Sequence, residues 1–165
     1  MNSSYEIDIS WHPGGVQPDR DRLQSALTHG LREEGVASAV ISVSVVDNDV
    51  IHRINREHLQ HDYPTDVISF GLELSGTQEE STSAADGRAR GACVEGEIVV
   101  SAEYAEQTAS RCGWTAMDEL TLYVIHGMLH LCGYDDLTAE EKSIMRARER
   151  HILSGLGLSP RYPDE

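Results

Sequence analysis

The segment LTLYVIHGMLHL, Leu120 to Leu131, is apolar almost throughout. A helix that is hydrophobic on every side cannot rest on a protein surface, so this one is predicted to be a buried centre around which the other elements pack. The helical stretch opens in WTAMDE, and Gly133 can close it with a left-handed cap. At 165 residues the chain is long enough for one such core and fits a single domain, here taken as residues 1–155.

The remaining segments supply the layer that the central helix needs. YEIDIS (Tyr5 to Ser10), AVISVSVV (Ala39 to Val46), TDVISFGLE and GEIVVS (Gly96 to Ser101) alternate or are β-branched and read as strands. WHPGGVQPD breaks the chain before a helical period through Leu23 and Leu31. The acidic turn DND caps a helix through Val50, Ile51 and Ile54 to about Leu59. SAEYAEQTASRCG carries a Ser N-cap and a Gly stop, and Thr138 with Glu141 opens the last helix. Strand and helix alternation predicts an α/β or α+β sheet covered by helices, without internal repeats. Leu74 to Ala92, rich in Ser, Gly and Glu, is expected to be a mobile loop, and residues 156–165 a loose tail.

Composition narrows the setting. No apolar run approaches the roughly 20 residues needed to span a bilayer, and the N-terminal residues carry neither a basic nor an apolar leader region. Three cysteines, Cys93, Cys112 and Cys132, form no CxxC pair. A cytoplasmic protein with reduced thiols and no membrane association is expected. The net charge of -15 repels a phosphate backbone, so a nucleic-acid role requires a local basic patch, a metal or a partner. Arg146, Arg148, Arg150 and His151, mixed with Glu149, read as a solvated helix face.

The chemistry lies at the end of the buried helix, in VIHGMLHLCGYDD. Four residues advance a helix by about 400°, so His126 and His130 share one face and their imidazoles converge. Gly133 lets the chain turn back and bring Asp136 to the same point, with Asp135 as the competing carboxylate. Two imidazoles and a carboxylate suit zinc with a fourth position open to water, and equally the facial triad of iron enzymes, so another divalent metal remains open. Cys132 reads as a small buried cysteine. In the zinc-peptidase signature HExxH a general-base Glu follows the first histidine; here that residue is Gly127, which disfavours a standard peptidase.

HGMLHLCGYDD resembles the HGxLHLxGYDH signature of the YbeY family of zinc-dependent rRNA maturation factors. The resemblance extends to INREHLQHDYPTDVISF and to GEIVVS, covering about residues 40 to 155. It implies an α+β domain with a small mixed sheet packed by helices, and one Zn2+ at the end of the central helix. It also implies single-strand endoribonuclease activity in 16S rRNA maturation and ribosome quality control. His126 and His130 then take ligand roles directly, and Asp136 stands where the family has a third histidine. A family arginine falls on Leu59, with Arg56 a turn earlier as the substitute cation. Asp66 and Ser69, with Thr65 shaping the loop, and Glu97 in place of the family's Asp, become groove residues. rRNA in small ribosomal subunit precursors, and ribosomal proteins, are the implied partners. The alternatives are a ribosome-associated assembly factor with a mainly structural metal, and a metal-dependent hydrolase of another substrate.

Overall fold

The computed structural model describes residues 4–11, 18–61, 65–75 and 88–162. Nine elements follow one another: β1 (Ser4–Trp11), α1 (Arg20–Glu33), β2 (Ser38–Val46), α2 (Asn48–Leu59), β3 (Val67–Ser75), β4 (Cys93–Ser101), α3 (Ala102–Cys112), α4 (Ala116–Leu131) and α5 (Ala139–Ser154). The helices start where the sequence supplies side-chain acceptors for their free N–H groups. Asp47 accepts from Val50 N at 2.9 Å, Ser101 from Tyr104 N at 3.1 Å and Thr138 from Glu141 N at 3.1 Å. Thr115 and Asp118 form a reciprocal capping box at α4. Gly113 ends α3 at φ 79°, as its left-handed geometry requires.

The sheet has the order β1-β2-β4-β3. β1 and β4 pair with β2 in parallel, and β3 joins β4 antiparallel with an irregularity between Gly71 and Glu73. This is the mixed α+β sheet the resemblance implies. Period-two alternation divides it into two unequal faces. Val94, Ile98 and Val100 of β4 enter the main core with α1, α3, α4 and α5. Val99 and Ile68 point the other way and form a small second cluster with Val46 and Ile51, flanked by Val50, Ile54 and Phe70, under α2.

α4 is the buried centre, with Leu120, Leu122, Tyr123, Val124, Ile125, Met128, Leu129 and Leu131 all inside. It lies very close to the sheet. A Cβ at Gly127 would sit 2.8 Å from Ile98 Cγ2 and 3.2 Å from Val67 Cγ2. The position that carries a catalytic Glu in HExxH peptidases is therefore filled here by the sheet itself.

Three expectations need correction. Leu74 and Ser75 still belong to β3, and residues 88–92 form a turn that buries Ala89 and Ala92, so the predicted loop is shorter at both ends; its middle, 76–87, lies outside the described residues. Over its described part, 156–162, the C-terminal stretch is packed down, because Leu156, Leu158 and Tyr162 contribute apolar area to the core. Arg148 does not belong to a solvated face. It is buried, its Nε 2.9 Å from Glu34 Oε2, and it ties α5 to the end of α1.

Candidate metal centre

His126 and His130 occupy successive turns near the end of α4, with their Nε2 atoms 3.1 Å apart. Beyond Leu131 the chain reverses at Gly133, whose φ of 98° few side-chain-bearing residues adopt. Gly133 N and Tyr134 N return to the carbonyls of His130 and Leu129, each at 3.0 Å. Tyr134 anchors the turn: its ring is buried, and the Arg88 guanidinium lies 4.8 Å above it. The turn delivers Asp136, with Oδ2 3.4 Å from His126 Nε2 and Oδ1 3.6 Å from His130 Nε2. Asp135 is used locally instead, accepting from Asp136 N at 2.9 Å. Cys132 is fully buried and stands apart from the cluster.

The outer nitrogens fix which atoms face inward. His126 Nδ1 lies 2.6 Å from Glu149 Oε2, and His130 Nδ1 lies 3.1 Å from the Tyr134 carbonyl. Both partners only accept, so each Nδ1 carries the proton and donates it. Each Nε2 then faces Asp136, where it can ligate a metal once it is deprotonated. Glu149 is itself buried, and its other oxygen accepts from the Tyr162 hydroxyl at 2.6 Å.

Such a constellation attracts positive charge. Burial disfavours the imidazolium of His126, yet its hydrogen bonds to Asp136 and Glu149 outweigh that cost and push its pKa up to about 10. Burial and the neighbouring His126 charge hold His130 below the usual histidine range. The hydrogen bond from His126 holds Asp136 below the usual carboxylate range. A proton serves as that charge, and so does a metal ion. Ligands about 2.0–2.1 Å from a tetrahedral ion lie roughly 3.3 Å apart; the two Nε2 atoms are 3.1 Å apart, and each has a different Asp136 oxygen at 3.4 or 3.6 Å. The donor set and its spacing thus fit a divalent metal, and the three ligand atoms lie within 4.8 Å of one another.

A cleft of about 250 Å³ opens over the cluster, walled by Asn55 and Leu59 of α2 and by His61, Thr65, Asp66, Val67 and Ile68. Leu59 and Asp66 both line this cleft, Leu59 at the lip and 42% exposed. Asp66 is pinned by Val67 N at 2.8 Å and by the Thr65 hydroxyl at 3.2 Å. Arg56 is exposed and falls outside this lining, because a residue following Asn55 is rotated by about 100° from the face that Asn55 and Leu59 share. Ser69 is half-buried on β3, on the α4 side of the sheet. Glu97 is a correction: β-alternation sends it to the α2 face, beside Val99, Ile54 and His58, across the sheet from His126. Sequence reasoning missed Glu149 and Tyr162. It also missed the cations Arg111 and Lys142, which with Arg146 line the adjoining cleft.

An α+β fold that gathers two imidazoles and one carboxylate at the foot of a cleft has the donor set of a metal-binding hydrolase. Residues 16–157 match the family model for Endoribonuclease YbeY. The Endoribonuclease YbeY of Bacillus licheniformis is 41% identical over 93% of this chain and 96% of its own. That of Bacillus subtilis is 36% identical over 92% and 96%, and that of Rhodopirellula baltica 37% over 96% and 75%. The chain belongs to the YbeY endoribonuclease family. Its fold is also that of the solution structure of TM1509 from Thermotoga maritima, with a TM-score of 0.53 at 24% identity over 92% of this chain and 91% of that one.

Proposed function

We propose that this endoribonuclease is a zinc enzyme that cleaves single-stranded RNA during 16S rRNA maturation, with His126, His130 and Asp136 as the metal ligands. One observation carries the reading: both Nδ1 atoms are engaged outward while both Nε2 atoms and the Asp136 carboxylate converge on one point. When bound there, the metal supplies Lewis acidity towards water and towards charge developing on phosphate. Glu149 keeps His126 in the ligating tautomer, and the Tyr134 carbonyl does the same for His130. Asp66 presents a second carboxylate at the cleft wall, held in place by Thr65 and Val67, where it can orient water. Gly127 leaves no room for a peptidase glutamate, which favours phosphodiesters over peptides.

Small ribosomal subunit precursors are the proposed setting, with ribosomal proteins as partners. No helix among the described residues is long and apolar enough to cross a membrane. The test is cleavage of matched single-stranded and duplex RNA by the wild type and by a His126→Ala, His130→Ala variant. Expected is cutting of the single strand alone, abolished in the variant and by chelation. Equal cutting by the folded variant would overturn the assignment.

A further inference from the structure

Beside the cluster, a second cleft of about 360 Å³ runs between α3, α4 and α5, sharing His126 and Asp136 with it. That volume falls in the range of about 300–1,000 Å³ of small-molecule sites. Its floor is polar yet almost sealed. Thr108, Glu119 and Tyr123 are 4%, 2% and 4% exposed. Among the described residues, the Thr108 and Tyr123 hydroxyls are two of only three buried side-chain polar groups with no hydrogen-bond partner. The Tyr123 hydroxyl is placed for side-chain hydrogen bonding with Thr108 and Glu119, yet neither contact reaches full hydrogen-bond geometry. Buried hydroxyls are seldom left in this state, and the two residues that carry them line the cleft.

The walls and mouth differ in character from the floor. Leu122, Met145 and the ring of Tyr104 offer apolar and polarisable surface that a heterocycle packs against, while the Tyr162 ring already carries the Arg146 guanidinium at 4.1 Å. At the mouth stand Arg111, Arg146 and Lys142, the chain's single lysine, in a molecule of net charge -15. Apolar walls, a hydroxyl-rich floor, cations at the mouth and a metal-ligand cluster at one end match the parts of one nucleotide.

We propose that this cleft is a nucleobase subsite, which takes the base of the nucleotide adjoining the phosphate at the His126, His130 and Asp136 cluster, with Tyr123 and Thr108 hydrogen-bonding the base edge. The proposal rests on the RNA-cleaving reading above and extends it. A base can enter only when splayed out of a stack, as in single strands, loops and ends. The cleft therefore supplies a physical reason for single-strand selectivity.

The test titrates AMP, CMP and ribose 5-phosphate into the metal-replete full-length protein by calorimetry. The nucleotides are expected to bind at least tenfold more tightly than ribose 5-phosphate, which lacks a base. Tyr123→Phe and Thr108→Val should each weaken nucleotide binding by about 3–10-fold, the worth of one hydrogen bond, and leave ribose 5-phosphate unaffected. On single-stranded RNA the same variants should raise KM with kcat little changed. Tyr123→Phe should also raise Tm by about 2–4 °C, since it removes an unpartnered buried hydroxyl. A structural hydroxyl would do the opposite. Equal affinity for ribose 5-phosphate and the nucleotides, or nucleotide binding unaltered in both variants, overturns the subsite. Failure of the wild type to cleave RNA bears on the nuclease reading alone, because the binding measurement involves no turnover.

Discussion

Glu149 controls how firmly His126 faces the cluster, since its carboxylate accepts a hydrogen bond from Nδ1–H at 2.6 Å. Glu149→Gln can still bond but no longer charges the imidazole, and partners of this kind are worth about 10–100-fold in metal affinity. The drop should appear in competition titrations with a zinc chelator, with Tyr162→Phe causing a smaller loss. Leu59 is the opposite case, an apolar residue at the lip of the cleft proposed to take the phosphate. Preorganised cationic or polar donors in such positions are worth about 2.7–4 kcal/mol. Because Leu59 is partly exposed, Leu59→Arg should recover a fraction of that, about tenfold in the single-turnover rate on single-stranded RNA. Leu59→Met, which adds length without charge, should leave the rate unchanged. The convergence of His126 and His130 was legible in the sequence because helical spacing alone brings the two imidazoles together. Glu149 was not, because nothing in a mixed run of arginines and glutamates says which side chain turns inward; only the docking of α5 on α4 decides it.

Among the elements, α4 carries most of the design. Its uniform apolarity announced a central helix, and the residues that lock its height on the sheet are glycines. Gly127→Ala would drive a methyl against Ile98 and Val67, neither of which can swing away. Overpacking of this sort costs about 1–3 kcal/mol, against a helix-propensity gain of about 1 kcal/mol. A lower denaturation midpoint is expected, together with weaker metal binding as His126 and His130 ride outward with the helix. The elements themselves were readable from their caps: Asp47, Ser101 and Thr138 each sit one residue before the helix they open. The face to which a strand residue points was less so. Glu97 was assigned to the groove by resemblance, yet one step of alternation separates it from Ile98, which does face α4.

At the scale of the whole molecule, protonation and metal binding compete for one site in a chain of net charge -15. In the metal-free protein the pKa of His126 is raised from 6.5 to about 10. A group raised on folding stabilises fully below its unfolded value, and that contribution is lost as pH climbs through the folded value. The Tm of metal-free protein should therefore fall between pH 6.5 and 10 beyond what a His126→Gln variant shows. Metal binding needs the same nitrogen deprotonated, so metal affinity should rise over that interval. The acidic balance read from composition made a nucleic-acid role depend on a local basic patch, a metal or a partner. The fold brings Arg111, Lys142 and Arg146 to the rim of one cleft that is also lined by Asp66, Glu119, Asp136 and Glu149, a juxtaposition of α3 and α5 invisible in a linear count.

The most direct measurement is metal content by elemental analysis of the purified wild type beside Asp136→Ala and Asp135→Ala. Convergence of Asp136 on His126 and His130, with Asp135 turned to its own backbone, leads to one equivalent of zinc in the wild type and in Asp135→Ala. Asp136→Ala should lose most of it. A wild type that holds no metal after reconstitution, or a full equivalent in Asp136→Ala with loss in Asp135→Ala, would contradict the site.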